Sequence, residues 1–481
     1  MPEEINRSTN EYREQRIANM RQLEELGFKS YGSAFERERL ADIRASFVED
    51  KEVAAAGRVM TVRRMGKASF ATIDDGTTAF QLFFKKDLLS EMEFAGFKLV
   101  DLGDFIGVKG KLFTTRTGEP TIQVTQWTLL SKALQQPPEK FHGLQDIEER
   151  YRKRYLDLMV NRDSRDRFYK RSAIISEIRA LLAERGFVEV ETPMMQSQAG
   201  GAAAKPFHTH HNALDRDMVL RIAPELYLKR LIVGGFDKVF EIGKNFRNEG
   251  IDRTHNPEFT VLEVYEAYGD RESMKALIEE LLPRLCLKVL GQLTVEYGEN
   301  REVLDFTPPY REVSYHDLVK EMMGSDWFEL SLEDTRKKAE AAGVALEADM
   351  NHLMITHEVY DKLIEKTLRQ PTFVTRLPRQ FVPLAKSCPD DADLVDVFEF
   401  VVAGKELCPG YTEQNDPAAQ RRALADQAGD DAEKVDEDFI LALEHGMPPT
   451  GGLGLGIDRL VMMLTGTEVI RDVILFPQMR S

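Results

Sequence analysis

Apolar positions at helical spacing open the chain. Ile17, Met20, Leu23 and Leu26 recur between arginines and glutamates, which predicts an amphipathic helix over residues 4–30. From about residue 53 the period changes from that of a helix to two. Apolar and polar side chains alternate along 54–62, 69–74, 79–84, 105–113 and 121–129, and a partly helical connection over 88–99 interrupts them. Five short strands in so small a span predict a β-barrel of the OB type.

Pro137-Pro138 ends this pattern. Helical periodicity returns over 163–185 and stops at Gly186. Mixed strands and helices then run to the end, with a mainly helical stretch at 332–369 that reads as an insertion. Residues 416–444 are polar, with an acidic run at 430–438 that reads as an exposed loop and helix, and no internal repeat is visible. The resulting α+β plan has a helical extension (1–50), a barrel (51–135), a hinge (136–162) and a large second domain (163–481) with an insertion at about 332–370.

Composition narrows the function classes. With 42% hydrophobic and 30% charged residues the chain has the make-up of a globular protein, and no apolar run is long enough to span a membrane. The N-terminus lacks an apolar signal region, so the expectation is cytoplasmic. Cys286, Cys388 and Cys408 are widely spaced and odd in number, which argues against a disulfide framework or a thiolate zinc site. A net charge of −17 opposes bulk attraction to nucleic acid but leaves room for a local basic surface. Between Arg150 and Arg171 nine basic residues face three aspartates, either as a solvated helix face or as a phosphate-contacting hinge.

The chemistry concentrates in three segments. Residues 238–268 read as strand, loop, strand about the turn-forming run 250–257. Symmetric pairing would put Arg247 opposite Phe259 and Gly243 opposite Glu263. Alternation then gathers Arg247, Glu249, Phe259, Glu263 and Tyr265 on one face, with Phe240, Ile242, Phe246, Leu262 and Val264 on the other. A guanidinium, two carboxylates and two rings suit a purine, a phosphate and an amine. Residues 397–415 read as a hairpin turning at Ala403-Gly404, with Val401 opposite Glu406. Glu399 and Glu406 become diagonal neighbours about 7–8 Å apart, close enough to call for a cation. In 451–456, glycines in a strand admit close approach, and Arg459 in the first turn of the following helix opposes the helix dipole until an anion binds. His208 and His210 share a strand face, but no carboxylate or thiolate completes a ligand set with them.

These segments carry a family resemblance. Phe246-Arg247-Asn248-Glu249-Gly250 with His255-Asn256-Pro257-Glu258-Phe259-Thr260 resembles motif 2 of the class II aminoacyl-tRNA synthetases in its lysyl form. The run 186–193, from Gly186 to Pro193, resembles the dimer-interface motif 1, and 451–460 resembles motif 3. The resemblance covers the whole chain, barrel included. It implies a lysine–tRNA ligase that is an AMP-forming enzyme of protein biosynthesis, uses ATP and Mg²⁺ (about three ions per site, held on oxygen ligands), and acts on L-lysine and tRNA(Lys) as a cytoplasmic homodimer. By the same resemblance Arg247 and Arg459 are catalytic, and ATP contacts Arg247, Glu249, His255, Phe259, Glu399 and Arg459. Glu399 and Glu406 hold the metal. Lysine meets Gly201, Glu225, Glu263, Tyr265, Pro409 and Glu413, with Glu225 and Glu413 on the side-chain ammonium. Phe70, Gln81 and Glu119 match positions that grip the anticodon.

Three positions depart from the family pattern near the lysine site. Pro409 stands where an asparagine amide is usual, Val382 replaces a serine and Val397 an arginine. They leave an alternative: a catalytically weakened paralogue that binds tRNA, regulates, or transfers lysine to another acceptor.

Overall fold

The computed structural model describes residues 2–138, 144, 146–428 and 436–480, in two compact units. Most of the acidic run at 430–438 lies outside the described residues.

The first unit is a closed five-stranded barrel of order β1-β2-β3-β5-β4. Its strands are β1 Glu52–Met65, β2 Ala68–Asp74, β3 Ala79–Lys85, β4 Phe105–Thr114 and β5 Pro120–Ser131. Strict alternation of buried and partly exposed residues along β2 and β3 is the pleat that the sequence pattern anticipates. Inward residues such as Val59, Ile73, Phe80, Leu82, Ile106 and Trp127 form one core. The connection between β3 and β4 holds the helix Glu91–Phe97, opened by a capping box at Ser90 and Glu93. The leading helix, Pro2–Glu25, ends before Gly27, whose φ of +88° suits glycine. It joins the barrel through Leu23 and through the buried Arg16, which donates to the carbonyls of Leu102 and Ala133 at 2.8 and 2.9 Å.

The second unit is built on an eight-stranded sheet. Short pieces come first: β6 Val188–Glu189, β7 Met195–Gln196, β8 His208–His211 and β9 Arg216–Leu220. The hairpin β10 Lys238–Phe246 and β11 Glu258–Ala267 follows, then the pair β12 Thr294–Tyr297 and β13 Glu302–Asp305. The rest are β14 Arg311–Ser314, β15 Thr372–Thr375, β16 Val397–Val402, β17 Lys405–Thr412 and β18 Thr450–Gly456. The large sheet runs β14-β15-β16-β17-β18-β11-β10-β6. It is antiparallel from β15 to β10, and only the edge pairs β14–β15 and β10–β6 are parallel. One face packs on the helices Arg162–Glu184, Arg271–Leu285 and Ile457–Leu464 through Phe240, Leu262, Val264, Phe398, Phe400, Leu453 and Leu455. The opposite face is the one that carries polar side chains.

The connection between β14 and β15 is helical from Tyr315 onward, beginning with Tyr315–Met323, so the helical stretch starts earlier than residue 332. Buried Trp327, Tyr315 and Ile355 give it a core shared with Val397 and Val401. Two arginines of the basic segment 150–171 serve structure. Arg154 is buried and donates to the carbonyls of Leu475, Arg471 and Ile474, and Arg171 pairs with buried Asp458 at 2.6 Å.

Candidate active site

The hairpin β10–β11 supplies the centre of the site. Its register differs by two residues from symmetric pairing: Asn245, not Arg247, lies opposite Phe259, and Glu263 faces Glu241. The connecting loop is organised about Asp252, whose carboxylate accepts from the backbone N–H of Thr254 and His255 at 2.6 and 2.8 Å. That moves the turn's centre one residue toward β10. A two-residue slip preserves side-chain parity, so Arg247, Phe259, Glu263 and Tyr265 still share a face, and all four line one cavity of about 460 Å³. Glu249 lies in the loop, exposed, at the cavity's rim.

Along β11 the face changes character. At the Phe259 end the Arg247 guanidinium sits 5.2 Å from the ring centroid, and its buried Nε has no partner among the described residues. Burial lowers the Arg247 pKa, against the pull of Glu249 and Glu263. Arg459 donates to the Glu406 carbonyl at 2.8 Å and lies 3.5 Å from His255 Nε2. His255 Nδ1 is 2.8 Å from Asp252, whose carboxyl lies far below its usual range through hydrogen bonds from His255 and Thr254 that outweigh desolvation. This end is cationic and aromatic.

Six residues along, at the Tyr265 end, the lining is acidic. Glu263 is buried and accepts from the Tyr265 hydroxyl at 3.1 Å. Desolvation, with Glu225 nearby, pushes its carboxyl up to about 8. Glu225 opens the helix Glu225–Val233, and Glu413 follows β17. Glu413 is 1% exposed, and its Oε1 has no hydrogen-bond partner among the described residues. Gly201, at φ +83°, lies against Ala223 and Glu225. The floor is β18: Gly454 is opposite Glu263 and Gly452 opposite Tyr265. A Cβ on Gly452 would collide with Glu413 and Tyr265, whereas one on Gly454 would meet only Glu263 Cγ, at 4.0 Å. The glycines therefore make room for side chains from neighbouring strands and for a ligand above them.

The hairpin β16–β17 turns at Ala403-Gly404, with Val401 opposite Glu406 as the alternation implies. A bulge at Leu407 then puts Glu399 opposite Pro409, and Leu407 and Cys408 both enter the core. Glu399 and Glu406 thus keep the same sheet face despite the break in register, and of the two Glu406 lines the cavity. Burial and the charges of Glu406, Glu365 and Asp361 push the Glu399 carboxyl well above its usual range. Glu406 is also raised by burial, against Arg459 and Arg247. Two half-buried carboxylates that resist ionising together fit a hard cation such as Mg²⁺. Among the described residues no group of three or more His, Cys, Asp or Glu is assembled for a metal, so remaining ligands would come from substrate phosphates or water. His210, on an exposed hairpin, pairs with Asp217 at 2.8 Å.

The sequence reading misses three groups. Lys229, fully buried, lies 2.7 Å from Glu225 and 2.5 Å from Glu413. Buried Asn245, on β10, lines the cavity with an Oδ1 that has no partner among the described residues. Tyr411 also lines it. The Glu225–Lys229 spacing of four was the available signal, but it reads first as a surface pair.

On the barrel, Phe70 and Gln81 share the outer face of β2 and β3, where Phe70 lies opposite Phe83 and Gln81 opposite Thr72. The Phe70 and Phe83 rings are 4.8 Å apart, and Gln81 donates to Thr121 at 2.9 Å. Glu119 sits between β4 and β5, exposed, 3.6 Å from Arg44.

The chain is similar in sequence to known proteins along almost its whole length. The family described as tRNA synthetases class II (D, K and N) matches residues 146–480, and the OB-fold nucleic acid binding domain matches 53–130. The lysine–tRNA ligase of Syntrophomonas wolfei is 47% identical over 98% of this chain and 97% of its own. That of Bacillus subtilis is 47% identical over 96% of each, and that of Staphylococcus saprophyticus 46% over 98% and 99%. With the segments resembling motifs 2 and 3 meeting in one cavity and the match running nearly end to end, the chain belongs to the class II tRNA synthetases of the aspartyl, lysyl and asparaginyl group.

Proposed function

We infer that the protein is a lysine–tRNA ligase that activates L-lysine with ATP and transfers it to the 3′ end of tRNA(Lys). One observation carries the residue assignment: a single cavity is cationic and aromatic at the Phe259 end and acidic at the Tyr265 end, and six strand residues separate the two by about 20 Å. That polarity suits ATP at one end and a long ammonium side chain at the other.

In the first step a lysine carboxylate oxygen attacks the α-phosphorus and pyrophosphate leaves. In the second the terminal 3′-hydroxyl attacks the carbonyl carbon of lysyl-adenylate and AMP leaves. No protein nucleophile takes part, so positioning and charge neutralisation carry the rate. Arg247 bridges the α-phosphate and the lysine carboxylate through the several N–H donors of its guanidinium, of which Nε has no partner among the described residues. Adenine stacks on Phe259 beneath Arg459, with Glu249 at the rim, and His255 and Arg459 hold the outer phosphates. Glu399 and Glu406 would hold Mg²⁺, which would neutralise phosphate charge; the family resemblance implies about three such ions. Glu263 and the Gly201 carbonyl take the α-ammonium. Glu225, Glu413 and Tyr265 take the side-chain ammonium, and a carboxylate left unpaired there rejects neutral amino acids.

Phe70, Gln81 and Glu119 form the anticodon grip, by stacking a base and reading its edges. The protein works in the cytoplasm as a homodimer through motif 1 and the residues that follow it, where Val188, Met194 and Met195 expose apolar surface. Among the described residues no helix is long and apolar enough to cross a membrane.

Glu413→Gln tests the assignment. Lysine KM in ATP–pyrophosphate exchange should rise by about 100-fold, the scale of a broken buried ion pair, with ATP KM nearly unchanged. Equal rises would show that Glu413 does not meet the ammonium.

A further inference from the structure

We propose that Lys229 is a positioning residue of the lysine pocket, a built-in counter-ion that clamps Glu225 and Glu413 and leaves the trio one net negative charge to receive one substrate ammonium. The inference rests on the assignment of Glu225 and Glu413 to that ammonium.

The helix Glu225–Val233 places Glu225 and Lys229 one turn apart on the same face. The end of β17 brings Glu413 to the same point from the sheet. The Lys229 ammonium, with no solvent exposure, reaches Glu225 Oε1 at 2.7 Å and Glu413 Oε2 at 2.5 Å. Leu226, Leu228, Ile232, Val239 and Tyr265 pack around this region. Glu413 Oε1 is the atom left over, buried and without a hydrogen-bond partner among the described residues. Two carboxylates and one ammonium sum to −1, and a second ammonium completes a neutral set.

The other ionisable groups facing this trio do not alter the count. Tyr265 on β11 and Tyr411 on β17 are held well above the ordinary phenol range by burial and by Glu225, so both stay neutral. Arg221, just before the helix, is committed to Glu241 at 2.5 Å. Glu263 belongs to the α-ammonium and accepts from Tyr265.

Charge counting alone, without desolvation, gives the opposite forecast for losing Lys229: a more negative pocket that binds lysine more tightly. Burial reverses it. Two carboxylates without their cation cannot both stay ionised in so dry a site, so one takes up a proton that the substrate must displace.

A cycle of three variants in lysine-dependent exchange decides the matter. Glu413→Gln leaves Glu225 and Lys229, a trio of net charge zero, and should bind lysine worst. Adding Lys229→Met to it restores a net charge of −1, so the double variant should have a lysine KM lower than E413Q by about tenfold, a shift equal to one pKa unit's worth of interaction. Lys229→Met alone should raise lysine KM by about tenfold at pH 7.5, with the loss easing at higher pH and ATP KM unchanged. Rescue of one buried deletion by another is an outcome that a purely structural lysine cannot produce. A double variant no better than E413Q overturns the proposal, as does a K229M enzyme with unchanged or tighter lysine binding. If K229M fails to fold, the comparison of the double variant with E413Q decides alone; if the double variant also fails to fold, Lys229 is structural and the proposal falls. If E413Q itself leaves lysine KM unchanged, the ammonium assignment fails, and this inference with it; if only the rescue is missing, that assignment stands.

Discussion

Adding one methyl group to the pocket floor separates the two roles assigned to its glycines. In Gly452→Ala the new Cβ would lie 2.8 Å from both Glu413 Cδ and Tyr265 Cε1, and nearer still to Glu413 Oε1. Tyr265 is buried and packed, so the carboxylate must retreat. Its ion-pair partner is Lys229, at 2.5 Å, and a retreat of an ångström or more breaks that contact. Breaking a buried ion pair costs about 3–5 kcal/mol, enough to raise lysine KM by about 100-fold even when part of the contact survives. Gly454→Ala is the matched control. Its Cβ meets only Glu263 Cγ, at 4.0 Å, so the empty protein accommodates it without strain. The methyl instead projects into the space assigned to substrate. Exchange kinetics with lysine and ATP varied separately, together with melting temperatures, read both. Expected are a large lysine KM rise for G452A with ATP KM within about twofold, and unchanged melting but depressed activity for G454A. A G452A enzyme with near-normal lysine KM, or one whose two KM values rise in proportion, would refute the reasoning.

Acidity should weaken lysine binding. Desolvation, with Glu225 nearby, raises the Glu263 carboxyl up to about 8. Lysine needs the carboxylate form, so its affinity should fall as pH drops below about 8, by about tenfold per pH unit for each proton displaced; calorimetry across buffers that shows no linked proton would contradict this. On the barrel, Phe70→Ala should reduce tRNA charging by the loss of one stacked base, about 1–3 kcal/mol, while leaving exchange nearly intact. Equal damage to both assays would make Phe70 a packing residue.

Strand faces are more legible in this sequence than strand partners. Alternation along β2, β3, β10 and β11 assigns each side chain to a face, and a register error of two residues leaves those assignments unchanged. The same error changes who sits opposite whom, which is why Asn245 rather than Arg247 faces Phe259. Pairing depends on how the Asp252 loop closes, through side-chain hydrogen bonds that periodicity does not encode. The bulge at Leu407 is equally silent: it places two successive residues in the core, and the apolar Leu407-Cys408 reads as ordinary strand. Lys229 is hidden for another reason. Its burial depends on Glu413, a residue remote in sequence that only the sheet brings to the helix. The motifs locate the chemistry because Arg247, Glu399, Glu406 and Arg459 occur in recognisable local runs, whereas Pro409 departs from such a run and its consequence depends on what surrounds it.

The most direct test of the whole account is ATP–pyrophosphate exchange with the purified protein and Mg²⁺, run separately with each amino acid. The account predicts robust exchange with lysine and background exchange with aspartate and asparagine, the other specificities of this family group. Exchange driven by either of those, or no lysine-dependent exchange at all, would contradict it.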